Sequence, residues 1–399
     1  VTHDETRPAE AARDAAARHT EERHTEERLT DLVRDPRTRV VLCCGSGGVG
    51  KTTTSAALAL DAAEAGRRVV VLTIDPARRL AQALGLAELD NTPRRVAGVD
   101  ESAGGHLDAM MLDMKRTFDE VVLAHASPQA AEQILANPFY RSVSSSFAGT
   151  QEYMAMEKLG QLRAEADRDG RWDLIVVDTP PSRSALDFLD APARLGSFLD
   201  GRLVRLLTAP ARVGGRLGVR TLTGGMSLAA GVLGRLLGGQ LLADVQTFVL
   251  ALDTMFGGFR ERADRTYAQL SEPGTAFVVV TTPEPAAVRE ADYFVRRLRS
   301  EEMPLAALVV NRLVRPVTGT PGAREMRALA ERVTGEDDAA RAARVLLTTG
   351  AASDDVAQRH AEVVAEQRRL LPGLLVPQVP VAATDVHDLE GLRGVAASL

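Results

Sequence analysis

The chain has 399 residues, 45% hydrophobic and 26% charged, enough to bury a full core without disulfide or metal staples. Its 48 basic residues against 54 acidic ones leave a net charge of -6, which excludes a DNA binder that works through a broadly basic face. The two cysteines, Cys43 and Cys44, are adjacent in an apolar run and face opposite sides of a strand, so they suit neither a disulfide nor a CxxC metal clip.

Residues 1–37 are polar and Ala-rich, with a tandem repeat of His19-Thr20-Glu21-Glu22-Arg23 in residues 24–28, and read as a flexible charged arm. Residues 40–44 are a short apolar run that stops at a Gly-rich loop, as a buried parallel strand does. A helical stretch over 51–64 follows and stops at Gly66; residues 68–74 form a second β-branched run, closed by Asp75 and Pro76. Further strands are expected at 107–112, 172–177, 275–280, 305–310 and 375–381. Long helical stretches interrupt the alternation over 115–166 and 192–270, and a charged helical region covers 324–371. The pattern is α/β: a doubly wound, mostly parallel sheet from residue 38 onward, with a composite helical subdomain inserted. No secretory leader or unbroken apolar span is visible, so a cytoplasmic protein without stable membrane insertion is expected.

Chemistry concentrates at Gly45, Ser46, Gly47, Gly48, Val49, Gly50, Lys51 and Thr52, which fit the phosphate-binding loop G-x-x-x-x-G-K-[ST] between a strand and a helix. Glycines let successive N–H groups curl around a phosphate, and the helix N-terminus adds positive potential. Lysine occurs only at 51, 115 and 158, so the one inside this motif is informative. Lys51 would neutralise the β- and γ-phosphates of a bound ATP, and Thr52 would ligate Mg²⁺. Asp178, closing the apolar run 172–177, is placed to share that metal; the plainer reading is a strand-end aspartate capping the next turn. Asp75 either polarises the attacking water or caps a helix beginning near Pro76, and the spacing does not choose.

These residues resemble the ArsA-like ATPases, which include arsenical pump-driving ATPases and those that target tail-anchored membrane proteins. The loop 45–54, the segment Thr73-Ile74-Asp75-Pro76-Ala77 and Asp178-Thr179-Pro180-Pro181 carry the resemblance. Ala148-Gly149-Thr150-Gln151-Glu152-Tyr153, Thr282-Pro283-Glu284, Val310-Asn311 and Val386-His387-Asp388-Leu389 agree with it, and the chain looks most like an actinobacterial branch. The resemblance implies a P-loop NTPase fold and a dimer holding two ATPs near its interface, opening and closing with nucleotide state. By matched position it implies that Asp75 orients the hydrolytic water and that Thr53 belongs to the phosphate site. It likewise implies that Asn311 reads the adenine, that Glu284 lies near the nucleoside and that Pro380 and Ala382 flank the base. Helical insertions like 115–166 and 192–270 form, in the targeting relatives, a groove for hydrophobic helices. Met110, Met111, Met114, Met154, Met156 and Met226 would line such a groove or, on the plainer reading, fill the core.

The sequence departs from the family in three places. Ser46 stands where relatives carry a second lysine that reaches the partner's phosphates; a cation supplied in trans is worth about 10³–10⁵ in rate, or roughly 4–7 kcal/mol. Either a slow homodimer or a heterodimer with a paralogous ATPase is therefore expected. Cys43 and Cys44 do not supply the thiolate cluster that arsenite needs, nor the CxxC of a zinc-clamped dimer. Arg183 and Ser184 replace a Gly-His pair. Two other readings stand beside the ATPase: an ATP-bound scaffold that barely hydrolyses, and a positioning ATPase of the ParA/MinD type. The second is weakened by the net negative charge and by a C-terminal segment poorly suited to membrane anchoring.

Overall fold

Each of the seven apolar runs expected as strands lies in a single sheet, as seen in a computed structural model of the chain. The structure describes residues 28–75, 79–143, 150–180, 264–316, 319 and 321–399. The strands are Val40–Cys44 (β1), Arg68–Thr73 (β2), Arg94–Arg95 (β3), His106–Met111 (β4), Leu174–Asp178 (β5), Thr275–Thr281 (β6), Leu305–Leu313 (β7) and Gln378–Pro380 (β8). Their order is β3-β4-β2-β5-β1-β6-β7-β8, parallel throughout except for the β3–β4 pair. This is the α/β, doubly wound sheet of a P-loop NTPase.

Every residue of β1, β5 and β6 is buried, which is why these strands read as unbroken apolar runs and not as alternations. Their side chains, with those of β2, serve two cores. Leu42, Cys44, Leu72, Val177, Phe277 and Val279 pack on one face; Val41, Cys43, Val71, Val176, Val278 and Val280 pack on the other. Cys43 and Cys44 thus lie on opposite faces, as the strand period demands. Burial pushes both thiols up to about 12, so neither is a thiolate near neutral pH.

Part of the stretch expected as an arm over residues 1–37 packs on the core. Leu29–Arg34 (α1) is a helix with Leu29 and Val33 fully buried. The Leu29 N–H donates to the Leu399 carbonyl at 2.8 Å, and the Arg67 guanidinium donates to the carbonyls of Val33 and Asp35, each at 2.8 Å. These contacts come from far along the chain, so the local composition of residues 28–37 gave no sign of them. The repeat over residues 19–28 lies, apart from Arg28, outside the described residues.

Lys51–Glu64 (α2) matches the expected helix, and its many alanines let it sit close on the sheet. Arg79–Ala83 (α3) follows β2. Among the described residues, the helical stretch over 115–166 comprises four helices: Met114–His125 (α4), Pro128–Ala136 (α5), Pro138–Val143 (α6) and Thr150–Asp169 (α7). Asp113 and Ser127 cap α4 and α5 by accepting from the N–H groups of Arg116 and Ala130, and Pro128 and Pro138 stop any continuation. Met110, Met154 and Met156 are buried in the core, so these three are filler and do not line a groove. Met226, and the second insertion up to residue 263, lie outside the described residues.

Pro285–Ser300 (α8) connects β6 to β7. The charged region 324–371 divides into Ala323–Arg332 (α9) and Asp338–Leu370 (α10), with Asp337 capping the second through the Ala340 N–H. Leu389–Ala396 (α11) closes onto α2, where Arg393 pairs with Glu64 at 2.7 Å. Among the described residues, no helix is long and apolar enough to cross a membrane.

Candidate active site

Parallel pairing puts the carboxyl ends of β1, β2 and β5 side by side: Cys43 and Thr73 are both in register with Asp178. The loop 45–50 leaves β1 at this edge and enters α2. Gly45 has φ of +147°, and a Cβ there would sit 2.2 Å from the Val280 carbonyl oxygen. Gly50 has φ of +97°, and its Cβ would sit 2.1 Å from Asn311 Nδ2. Only glycine fits at either position, so the motif's outer glycines are required by the packing of β6 and β7 against the loop. Lys51 is nearly buried, and its Nζ donates to the Ser46 carbonyl at 2.8 Å. Burial lowers its pKa, with the negative charge of Asp178 the largest opposing influence. Thr52 and Thr53, both half-buried, open α2.

Asp178 is fully buried. Its Oδ2 accepts from Thr52 Oγ1 at 2.8 Å and from Thr73 Oγ1 at 2.9 Å, whereas Oδ1 has no partner among the described residues. Burial raises its pKa from 3.8 to about 6, against the pull of the two hydroxyls and Lys51. A buried carboxylate oxygen without a donor is destabilising unless something cationic meets it. With the Thr52 hydroxyl next to it, it offers a hard, all-oxygen donor set, which fits Mg²⁺ completed by phosphate oxygens. The Asp75 N–H donates to Thr73 Oγ1 at 3.2 Å, so one hydroxyl ties the backbone of Asp75 to Asp178. Sequence reading missed Thr73. The available signal was its place as the sole polar residue closing an apolar run that ends at the same sheet edge.

Thr179 Oγ1 donates to the Cys43 carbonyl at 2.8 Å and fixes the chain as it leaves β5. Arg183 and Ser184 lie outside the described residues, as do Pro76, Ala77 and Arg78. Asn311, near the end of β7, donates from Nδ2 to the Val49 carbonyl at 2.8 Å, which puts it directly on the phosphate loop. Glu284 is the exposed N-cap position of α8, just past β6, and its charge reaches His360 of α10. Pro380 ends β8, and the next residue's N–H donates to the Leu313 carbonyl at 2.9 Å; Ala382 follows, exposed. The structure therefore gathers residues 45–52, Thr73, Asp75, Asp178 and Asn311 through direct bonds. Glu284, Pro380 and Ala382 stand further along the same edge, placed by the strands they follow.

The sequence profile of the anion-transporting ATPase family matches residues 38–320. Protein Rv2184c of Mycobacterium tuberculosis is 32% identical over 191 residues, which is 43% of this chain and 41% of that protein. ATPase ARSA2 of Chlamydomonas reinhardtii is 29% identical over 294 residues, covering 72% of this chain and 71% of that one. ATPase GET3 of Podospora anserina is 27% identical over 284 residues, covering 71% and 75%. The match thus spans under half of the mycobacterial protein's length but nearly three quarters of the two ATPases'. With a profile match across most of its length, set on a phosphate loop, a buried acid and a parallel sheet in the expected register, the chain belongs to the anion-transporting ATPase family and is a P-loop ATPase.

Proposed function

We propose that the chain is a Mg²⁺-dependent ATPase whose nucleotide cycle opens and closes a dimer, capturing or releasing a client such as a hydrophobic membrane-protein segment. The observation that carries the ATPase reading is the buried, unbonded Oδ1 of Asp178 beside the Thr52 hydroxyl and Lys51. Lys51 and the loop N–H groups bind the β- and γ-phosphates. Thr52 and Asp178 would hold the metal, which would supply positive charge to the phosphate oxygens. Asp75, tied through its N–H to Thr73, orients the attacking water. Such a protein works in the cytoplasm and reaches a membrane through its partner.

The client reading is supported by a cavity of ≈ 570 Å³ among α4, α5 and α6, lined by Leu123, Ala126, Ala131 and Leu135 with Glu132 and Arg141 at its polar part. Leu123 is 62% exposed there. The dimer reading leans on the likeness to the ARSA2 and GET3 ATPases and on Ser46, which leaves each site short of a cation from across an interface.

Steady-state Mg-ATP hydrolysis by the purified chain, with Lys51→Ala and Asp75→Asn as controls, tests the reading. Turnover lost in both controls supports a self-sufficient enzyme. ATP binding without turnover, restored by Ser46→Lys or by a lysine-bearing paralogue, supports the two-subunit form. Turnover that survives Lys51→Ala overturns the site assignment.

A further inference from the structure

Asn311 makes two bonds that base recognition does not explain. Its Nδ2 donates to the Val49 carbonyl and its Oδ1 accepts from the Arg312 N–H, each at 2.8 Å. One end of the carboxamide meets an acceptor and the other a donor, so its orientation is fixed by its surroundings. The backbone around it is irregular. The β7–β8 register shifts between Val310 and Leu313, and Arg312, inside that shift, has φ of +59°, a left-handed conformation that side-chain-bearing residues adopt rarely and at a cost. The loop in turn is closed against the amide: a Cβ on Gly50 would come within 2.1 Å of Nδ2.

We propose that Asn311 is a positioning residue for the ATPase reaction, clamping the phosphate loop at the peptide between Val49 and Gly50. In a trans peptide the C=O and the following N–H point in opposite directions. Holding the Val49 carbonyl outward on Asn311 therefore aims the Gly50 N–H to the other side, into the loop where phosphate oxygens would lie. Asn311 acts on binding through the loop and needs no contact with the base. This rests on residues 45–52 being the ATP phosphate site and deepens that reading.

The test compares Mg-tripolyphosphate, which has no base, with Mg-ATP and Mg-GTP, titrated by calorimetry into the full chain and its Asn311→Ala and Asn311→Asp variants. Asn311→Asp is isosteric and keeps the acceptor for the Arg312 N–H but loses the donor to Val49, so it carries the test should Asn311→Ala fail to fold. A loss of about tenfold in affinity, the same for all three ligands, with an unchanged ATP-to-GTP ratio, is expected. Faster hydrogen exchange confined to residues 46–52 accompanies it on the same reasoning. Unchanged tripolyphosphate affinity with weakened ATP would overturn the clamp and return Asn311 to the base. A wild-type chain that binds neither ATP nor tripolyphosphate would overturn the phosphate-site reading itself, and the clamp with it.

Discussion

Asp178→Asn separates what the buried acid costs the fold from what it gives the reaction. The carboxyl has a pKa of 3.8 when unfolded and about 6 in the native chain, because burial disfavours its charge. A native pKa above the unfolded one means that the group's contribution is fully present below pH 3.8 and is lost as pH climbs through about 6. At pH 8 the forfeited stability is about 3 kcal/mol, at 1.36 kcal/mol per unit. Asparagine has the same shape, its Oδ1 can accept from both Thr52 and Thr73, and it does not titrate. Its buried NH₂ adds a fixed penalty of about 1–3 kcal/mol, an offset that does not vary with pH. Subtracting wild type from variant cancels every other titrating group. The difference should therefore move in the variant's favour by about 2 kcal/mol between about pH 4.5 and pH 8. Urea unfolding of the nucleotide-free chain in a chelator, repeated across that range, measures it. A flat difference, or one of opposite slope, refutes the argument that Asp178 is held ionised against its surroundings.

Thr73→Val removes one of Asp178's two donors and the acceptor for the Asp75 N–H; about 1–2 kcal/mol of stability and at least about tenfold in kcat should be lost, read by urea unfolding and steady-state kinetics. Gly45→Ala drives a Cβ to 2.2 Å from the Val280 carbonyl oxygen, so a loss above about 2 kcal/mol, together with ATP binding, is expected by calorimetry and denaturation. Trp172→Phe takes away the 2.9 Å indole N–H bond to the buried Asp108, far along the sheet from the phosphate loop. It should lower unfolding free energy by roughly 1–3 kcal/mol while ATP affinity stays unchanged.

The parallel strands were legible because a strand buried on both faces must be apolar throughout, and 40–44 and 275–280 have no competing period. β3 was not: Arg94 and Arg95 are both exposed and belong to the sheet through antiparallel pairing with Ala109 and Asp108, a partner no local pattern announces. The division of 115–166 was written in Ser127-Pro128 and Asn137-Pro138, yet apolar spacing alone runs across both breaks. Within the site, the phosphate loop and Asp178 stood out as motif and strand end. Thr73 and the Val49–Asn311 bond depend on which strands become neighbours, and Val49 and Asn311 are 262 residues apart.

Two hydroxyls pointing at one carboxylate oxygen have a consequence for acid. Thr52 and Thr73 both spend their single hydrogen on Asp178 Oδ2, and Thr73 is kept in that sense because it accepts from the Asp75 N–H. A proton added to Asp178 is therefore turned away from Oδ2 and settles on Oδ1, the oxygen assigned to the cation. In the proposed site, hydronium and magnesium would be rivals for the same lone pairs. With Asp178 holding Mg²⁺ as proposed, acidification below about pH 6 should act as a competitive inhibitor of metal loading, each further unit of acid costing roughly tenfold in apparent Mg²⁺ affinity, read by Mg²⁺ titration across pH.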